Sequence, residues 1–561
     1  MHVPISISRW VAMALAKAPA APRFNTAIDG VQAFAGCGMT RSTEVAKMKW
    51  WCVQALTVLV LLFCIQLTEA RAEDIYVAQS AAGGDTGTDC ADAHSLAWLN
   101  TSGNWGAGSN KVSAGDTVHL CGTLTSILTS QSSGSTGNPT TILFESGAKF
   151  SAPYFGSEFV GAINLVGKSN IVVNGGTDGK IENTDNGTAK TYQNASCGIF
   201  LANCSNIEVK SLTITNIYQN GGSSSNATDI GGDLTADVYL YQNNTNISVH
   251  NCNLLNARKG VWVAFDGANI DSINIYSNLV ADHCWSIAVG SGTYPCSSTN
   301  IKIHDNEITD WLNWQCPSSS AYCTSSIDAY HTDGLMLFTH HSSTFTPMVY
   351  NNYFHGSLGK GSATAFIYLT SDTGANPALG TVFNNLLVYT NTDHCAWFIA
   401  GGGAQQIYNN TLVGGSGSCG TALMLSSNAI VMNNIIANAN VGIGSYGPLD
   451  AIHSDYNVWF NIYGGAGRFS ANDGSTWYWF NNGTWQALGY DVHSTTNNPN
   501  LDVSYHLQSG SPAVATGTNL TALGISELSK DKSGNPRSST APWDIGAFGS
   551  TPKTPRIFLL K

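Results

Sequence analysis

Charge is the scarcest property of this chain. Its 561 residues hold 24 Lys and Arg against 36 Asp and Glu, 11% in all, with a formal net charge of −12. An ordinary soluble domain carries roughly 25% charged residues. With no basic excess, the chain cannot bind nucleic acid by displacing counterions from phosphates. Long surface helices laced by ion pairs are excluded by the same shortage. Paired CxxC motifs are missing too. The cysteines after residue 72 (Cys90, Cys121, Cys197, Cys204, Cys252, Cys284, Cys296, Cys316, Cys323, Cys395 and Cys419) are scattered. That argues against structural zinc and for bridges in an oxidising compartment. Cys316–Cys323 and Cys284–Cys296 are the shortest candidate spacings, although connectivity is not readable from sequence.

What is present is a hydrophobic content of 43% with 58 Gly, which excludes disorder and fits a turn-rich β architecture. The one long apolar run, Trp50–Leu67, follows Lys49 and precedes Ala70-Arg71-Ala72. This is the anatomy of a secretory signal peptide over 48–72, with Met48 as the expected start and 1–47 an over-extended leader. The alternative is a membrane anchor over 50–67, a run of about 18 residues and short for a span.

A short pattern then recurs: an alternating apolar strand, Asn, and a second apolar pair. It reads NISVHNCNLL from Asn246, INIYSNLV from Ile273, NIKIHDNEI from Asn300, MVYNNYF from Met348, TVFNNLL from Thr381, QIYNNTL from Gln406 and IVMNNII from Ile430. The second Asn falls at Asn278, Asn306, Asn352, Asn385, Asn410 and Asn434, separated by 28, 46, 33, 25 and 24 residues. A near-constant minimum with variable excess is what stacked coils with variable loops produce. Each unit adds another strand, such as GVWVAF (260–265), SIAVG (286–290) and GLMLF (334–338). No unit can bury its apolar face alone, so strands must pair in parallel with their equivalents about 4.8 Å away. The Asn side chains are expected to stack as an amide ladder.

These repeats, the opening GDTVHLCGTLTS (115–126) and the ending SYHLQSGSPAVATGT (504–518) with WDIGAF (543–548) resemble the right-handed parallel β-helix proteins of the pectin-lyase-like superfamily. The resemblance spans roughly residues 75–550. It implies an all-β solenoid with an N-terminal cap and a C-terminal closing segment. The expected divisions are 73–160 for the cap and first coils, 161–458 for the β-helix, 459–490 for a Trp-rich excursion and 491–561 for closure and tail. Polysaccharide lyases, glycoside hydrolases, epimerases and non-enzymatic surface proteins share this fold, so it does not choose among them.

In such a solenoid, function is expected on a wall built by equivalent turns of neighbouring coils. The turns before the second strand read NARKG (256–260), ADHCWS (281–286), DAYHTDG (328–334), LGKGSAT (358–364) and TNTDHCA (390–396). Anchored on the strand start, His283 and His331 share one row, Lys259 and Asp333 another, and Asp282 and Tyr330 a third. Asp393 or His394 extends the wall. The candidate catalytic residues are Asp333, His331, His283, Asp282 and Asp393. The candidate substrate-binding residues are Arg258, Lys259, Tyr330, Lys360, His394, Trp311 and Trp314. The two tryptophans are expected exposed, where indole faces can stack on sugar C–H surfaces.

Two chemistries fit. Hydrolysis needs two carboxyl groups flanking the bond, for which Asp333 with Asp282 or Asp393 are candidates. The HTDG run resembles the Asn-Thr-Asp-Gly turn of polygalacturonase-type hydrolases, with His331 in place of Asn; the Asp pair and Gly-His-Gly run of that family are not found. β-Elimination needs a base near the uronic C5 proton and a cation on the carboxylate, for which Lys259, Arg258, Tyr330 and His331 are candidates. The oxygens of Asp282, Asp328 and Asp333 admit calcium, without any EF-hand-like spacing. The expected protein is a secreted monomer that binds and cleaves an extracellular polysaccharide, with no nucleic-acid partner. The alternative is an adhesin-like scaffold that only binds carbohydrate.

Overall fold

The computed structural model describes residues 72–550 except 158, 188–189, 193, 218–234, 266–269, 291–296, 312–331, 340–343, 357, 359–364, 372–377, 390–396, 416–418, 427, 446, 450–451 and 473. The expected leader and signal peptide therefore lie outside the described residues.

Alternation of apolar and polar residues makes each short strand half-inward, and the strands stack in parallel into three long sheets. The first sheet runs in sequence order from Asp74–Ala78 to His453–Asp455, and the second from Thr123–Leu124 to Val458–Phe460. The third runs from Leu128–Thr129 to Ala439–Ser445. Each strand pairs with its counterpart one coil away, as in Ile247↔Ile273↔Ile301. This is the right-handed parallel β-helix expected from the repeats. Ile, Val, Leu and Phe from all three sheets form one continuous core along the axis.

The Asn pairs divide two tasks. The first residue turns the corner in the left-handed region, at φ 57° for Asn351, 54° for Asn384, 48° for Asn409 and 59° for Asn433. Asn tolerates that conformation better than β-branched residues. The second residue points inward and builds the ladder. The side-chain amides of Asn278, Asn306, Asn352, Asn385 and Asn410 each donate to the next Oδ1 at 3.0 Å. Asn434 continues it to Asn457 at 3.2 Å, a rung beyond the six read from the repeat.

The closing segment folds back over the outer faces of the last coils. Leu520, Leu528 and Trp543 bury Tyr350, Phe383 and Tyr408. Ala547 and Phe548 cover Leu386 and Val388. Glu527 pairs with Lys302, and the Lys532 ammonium donates to the Asn351 carbonyl.

One disulfide joins Cys90 and Cys121 in the N-terminal cap. It is not one of the two bridges suggested by spacing: Cys316–Cys323 and the proposed partner of Cys284, Cys296, lie outside the described residues. No helix of the described residues is long and apolar enough to cross a membrane.

Removing one rung tests the ladder. Asn385 Oδ1 accepts from both the backbone N–H and the side-chain amide of Asn352, at 3.0 Å each. Asn385→Ala orphans both buried donors, so a loss of about 3 kcal/mol is expected. It is read as a lowered urea midpoint, and an unchanged midpoint counts against the ladder's structural role.

Candidate functional site

The first and third sheets both skip one residue in register, but the first does so at corners in the left-handed region, Asn206, Asn246 and Ser272, and the third does not. In several pairings of the third sheet the register skips one residue, as in Lys259↔Trp285 followed by Val261↔Ile287. The skipped positions are Gly198, Asp237, Gly260, Ser286, Gly334, Phe366 and Phe398. They point inward: a Cβ on Gly260 would sit 2.7 Å from Val280 Cγ1, and Phe366 and Phe398 belong to the main core. The skipped residue and the one after it both face inward, as Gly260 and the core residue Val261 do, so the residue before the skip and the one two places after it face outward.

Two outward rows result. One carries Lys259, Trp285 and Asp333 in direct register on successive coils. The other carries Phe200, Tyr239, Trp262, Ala288, Met336 and Tyr368. The aromatic row forms an apolar cluster separate from the core, joined by Phe338. Phe338 stacks on Trp262 at 5.7 Å, and Gly290 leaves the space for its ring, since a Cβ there would fall 2.3 Å from it.

The cations lie on these rings. The Lys259 ammonium is 4.6 Å from the Trp262 ring centre and 5.0 Å from that of Trp285. The Arg258 guanidinium is 5.5 Å from Trp285. Such contacts stabilise a desolvated cation by about 2 kcal/mol. All three charged groups are buried: Arg258 is 4% exposed, Lys259 1% and Asp333 0%. Asp333 Oδ1 accepts the Ala365 backbone N–H at 3.0 Å, which fixes the carboxylate.

Lys259 and Asp333 thus occupy one row, as the aligned turns indicated, with Trp285 between them. Other expected positions differ. His283 faces the interior: it is fully buried, with Nε2 2.8 Å from Asp237 Oδ2. The equivalent residue one coil earlier is Ala257, a core residue. Trp311 is also internal, packed on Phe366, with its indole N–H donating to the Asp333 carbonyl at 3.1 Å. It supports the backbone of the row rather than offering a sugar platform. Asp282 is a corner residue at φ 59°, half-buried, in the same type of corner as Asn256 and Asp310. His331, Tyr330, Asp328, Trp314, Lys360, Asp393 and His394 lie outside the described residues. Among the described residues, no cluster of His, Cys, Asp and Glu could hold a metal ion.

The alignment missed Trp262, Trp285, Tyr239 and Asp237. An aromatic between two valines, as in Val261-Trp262-Val263, is the period-two signal for an outward ring. Asp237 inside Ala-Asp-Val-Tyr-Leu-Tyr was visible as a charge within an apolar strand.

Burial raises the Asp237 carboxyl well above the usual carboxylate range and lowers His283 to about 3. The pair therefore holds one proton, as a neutral acid and a neutral imidazole. Unfolded, the two groups also hold one proton between their ordinary values, none at higher pH and two at lower pH. Stability from the pair is consequently greatest between about pH 4 and 6.5 and falls as pH rises above that window, by about 1.4 kcal/mol per unit. Asp237→Asn should remove that alkaline slope, measured as the urea midpoint between pH 6 and 9. Parallel slopes in the two proteins would contradict a shared proton.

No family model matches the chain, and no curated protein does. Among solved structures, the crystal structure of pectate lyase Pel9A is similar with a TM-score of 0.41 and 11% identity, covering 86% of this chain and 98% of that one. The fold assignment rests on the strand register itself.

Proposed function

We propose that this protein is exported, binds an extracellular polysaccharide along the outer face of the third sheet, and cleaves a uronate-bearing chain by β-elimination. The observation that carries the reading is the row Lys259–Trp285–Asp333, with Arg258 beside it and Trp262 beneath the ammonium. Aromatic faces offer apolar area to sugar rings, and two adjacent cations offer charge to a carboxylate. Disulfide formation in the cap suits an oxidising, extracytoplasmic compartment.

Among the described residues this face carries two cations and one carboxylate. That composition favours elimination over hydrolysis, which needs a second carboxyl group. In the proposed step, Arg258 and Lys259 neutralise the uronate carboxylate and so acidify the C5 proton. Asp333 takes that proton. The electron pair forms the C4–C5 double bond as the glycosidic oxygen leaves from C4, taking a proton from water. Lys259 and Asp333 are two coils apart, about 9.6 Å along the axis, a span that side chains and one sugar can bridge. Burial strengthens each of these electrostatic contacts, and a glycan must displace protein groups to reach them.

The test is a panel of uronate and neutral polysaccharides assayed for reducing ends and for ultraviolet absorbance of the unsaturated product. Asp333→Asn, which can still accept from the Ala365 N–H, should lower the rate by about a hundred-fold or more. Lys259→Ala should weaken cleavage of uronate polymers. Reducing ends without absorbance would replace elimination by hydrolysis. Binding with neither product would leave the carbohydrate-binding scaffold.

A further inference from the structure

Beyond the last coil, the chain makes an antiparallel hairpin from Arg468–Ala471 and Thr476–Trp479. One side is anchored: Phe469 stacks on Trp485 at 4.1 Å and 7°, and Trp485 donates to Asp491 Oδ2 at 2.7 Å. The hairpin lies against the final strand of the third sheet, where a Cβ on Gly442 would fall 2.6 Å from the Phe469 ring.

Its other side is open. Trp477 is 41% exposed and Tyr463 48%, among the largest apolar side chains left in solvent. Arg468 lies between them, its guanidinium 3.9 Å from the Tyr463 ring centre and 4.6 Å from that of Trp477. Trp479, directly opposite Arg468, meets Tyr463 edge to face at 5.6 Å. Arg468 Nε donates to the Asn440 carbonyl at 3.1 Å, which orients the fork. Among the described residues, in a chain of net charge −12, Arg468 is a cation with no carboxylate beside it, walled by two exposed rings.

The surroundings choose the occupant. Asn461, Asn472, Asn481 and Asn482, which flank these residues in sequence, are exposed neutral amides. A membrane surface would call for clustered cations, and a stable protein interface for a continuous apolar centre. Rings, amides and one planar cation match the C–H faces, hydroxyls and carboxylate of an acidic sugar. Position agrees: the strand Ala439–Ser445 is six pairings along the same sheet from the Lys259 strand, about 29 Å.

We infer that Tyr463, Arg468 and Trp477 form a second, non-catalytic platform for an acidic polysaccharide. It holds the same chain that the proposed cleavage site engages, and so rests on that reading for its partner. Two contacts on one polymer convert the second binding event into an intramolecular one.

Affinity electrophoresis of the full chain, in gels containing polygalacturonate, alginate or neutral hydroxyethylcellulose, tests it. Trp477→Ala and Arg468→Gln should each cut retardation in the two uronate gels by about five-fold. Trp477→Phe should keep most of it. Cleavage of a uronate oligomer too short to span both places should be unchanged. Wild-type retardation in both variants overturns the platform, and equal retardation in the neutral gel overturns its acidic preference. If the wild type cleaves nothing but Trp477→Ala still loses retardation, the platform stands while the cleavage reading falls.

Discussion

Everything in this molecule follows from the spacing of about 4.8 Å between parallel strands. A solenoid keeps that spacing only if each coil closes on the same path as its neighbour. The buried amides from Asn278 to Asn457 impose this condition, because each Oδ1 must meet both N–H donors of the preceding Asn. Loops may lengthen between coils, as the 46-residue interval before Asn352 shows, provided the rung returns to its place. The repeat therefore fixes a frame and leaves its corners open to variation.

The third sheet uses that frame differently. Its strands turn two consecutive residues inward, which sets Gly198 against Asp237 and Gly260 against His283 in the buried pair. The same arrangement preserves an outward row where Lys259, Trp285 and Asp333 follow one another. One local irregularity thus separates the protonated interior pair from the charged exterior row.

The sequence made the frame legible because it repeats: the second Asn of each unit marks a rung, and aligning turns on the strand start puts Lys259 and Asp333 in register. It did not show which side each residue faces. His283 and Lys259 stand only 24 residues apart in neighbouring turns, yet one is sealed and the other lies on indole rings. Two consecutive inward residues break the period of two, so parity counted from the strand fails at the turn. Ala257 was the available hint, an apolar residue at the place His283 takes one coil later. Trp311 misled for a related reason: after the corner at Asp310 the chain turns inward, and its indole fills core that a loop residue was expected to leave.

A stack of coils in contact only with their neighbours is open to fraying from its ends. The returning C-terminal segment changes that. Glu527 grips Lys302 across 225 residues, Lys532 holds the Asn351 carbonyl, and Arg537 reaches the side chain of Asn384. Coils that would melt one after another are strapped lengthwise, so this half of the rod must come apart as a whole or not at all.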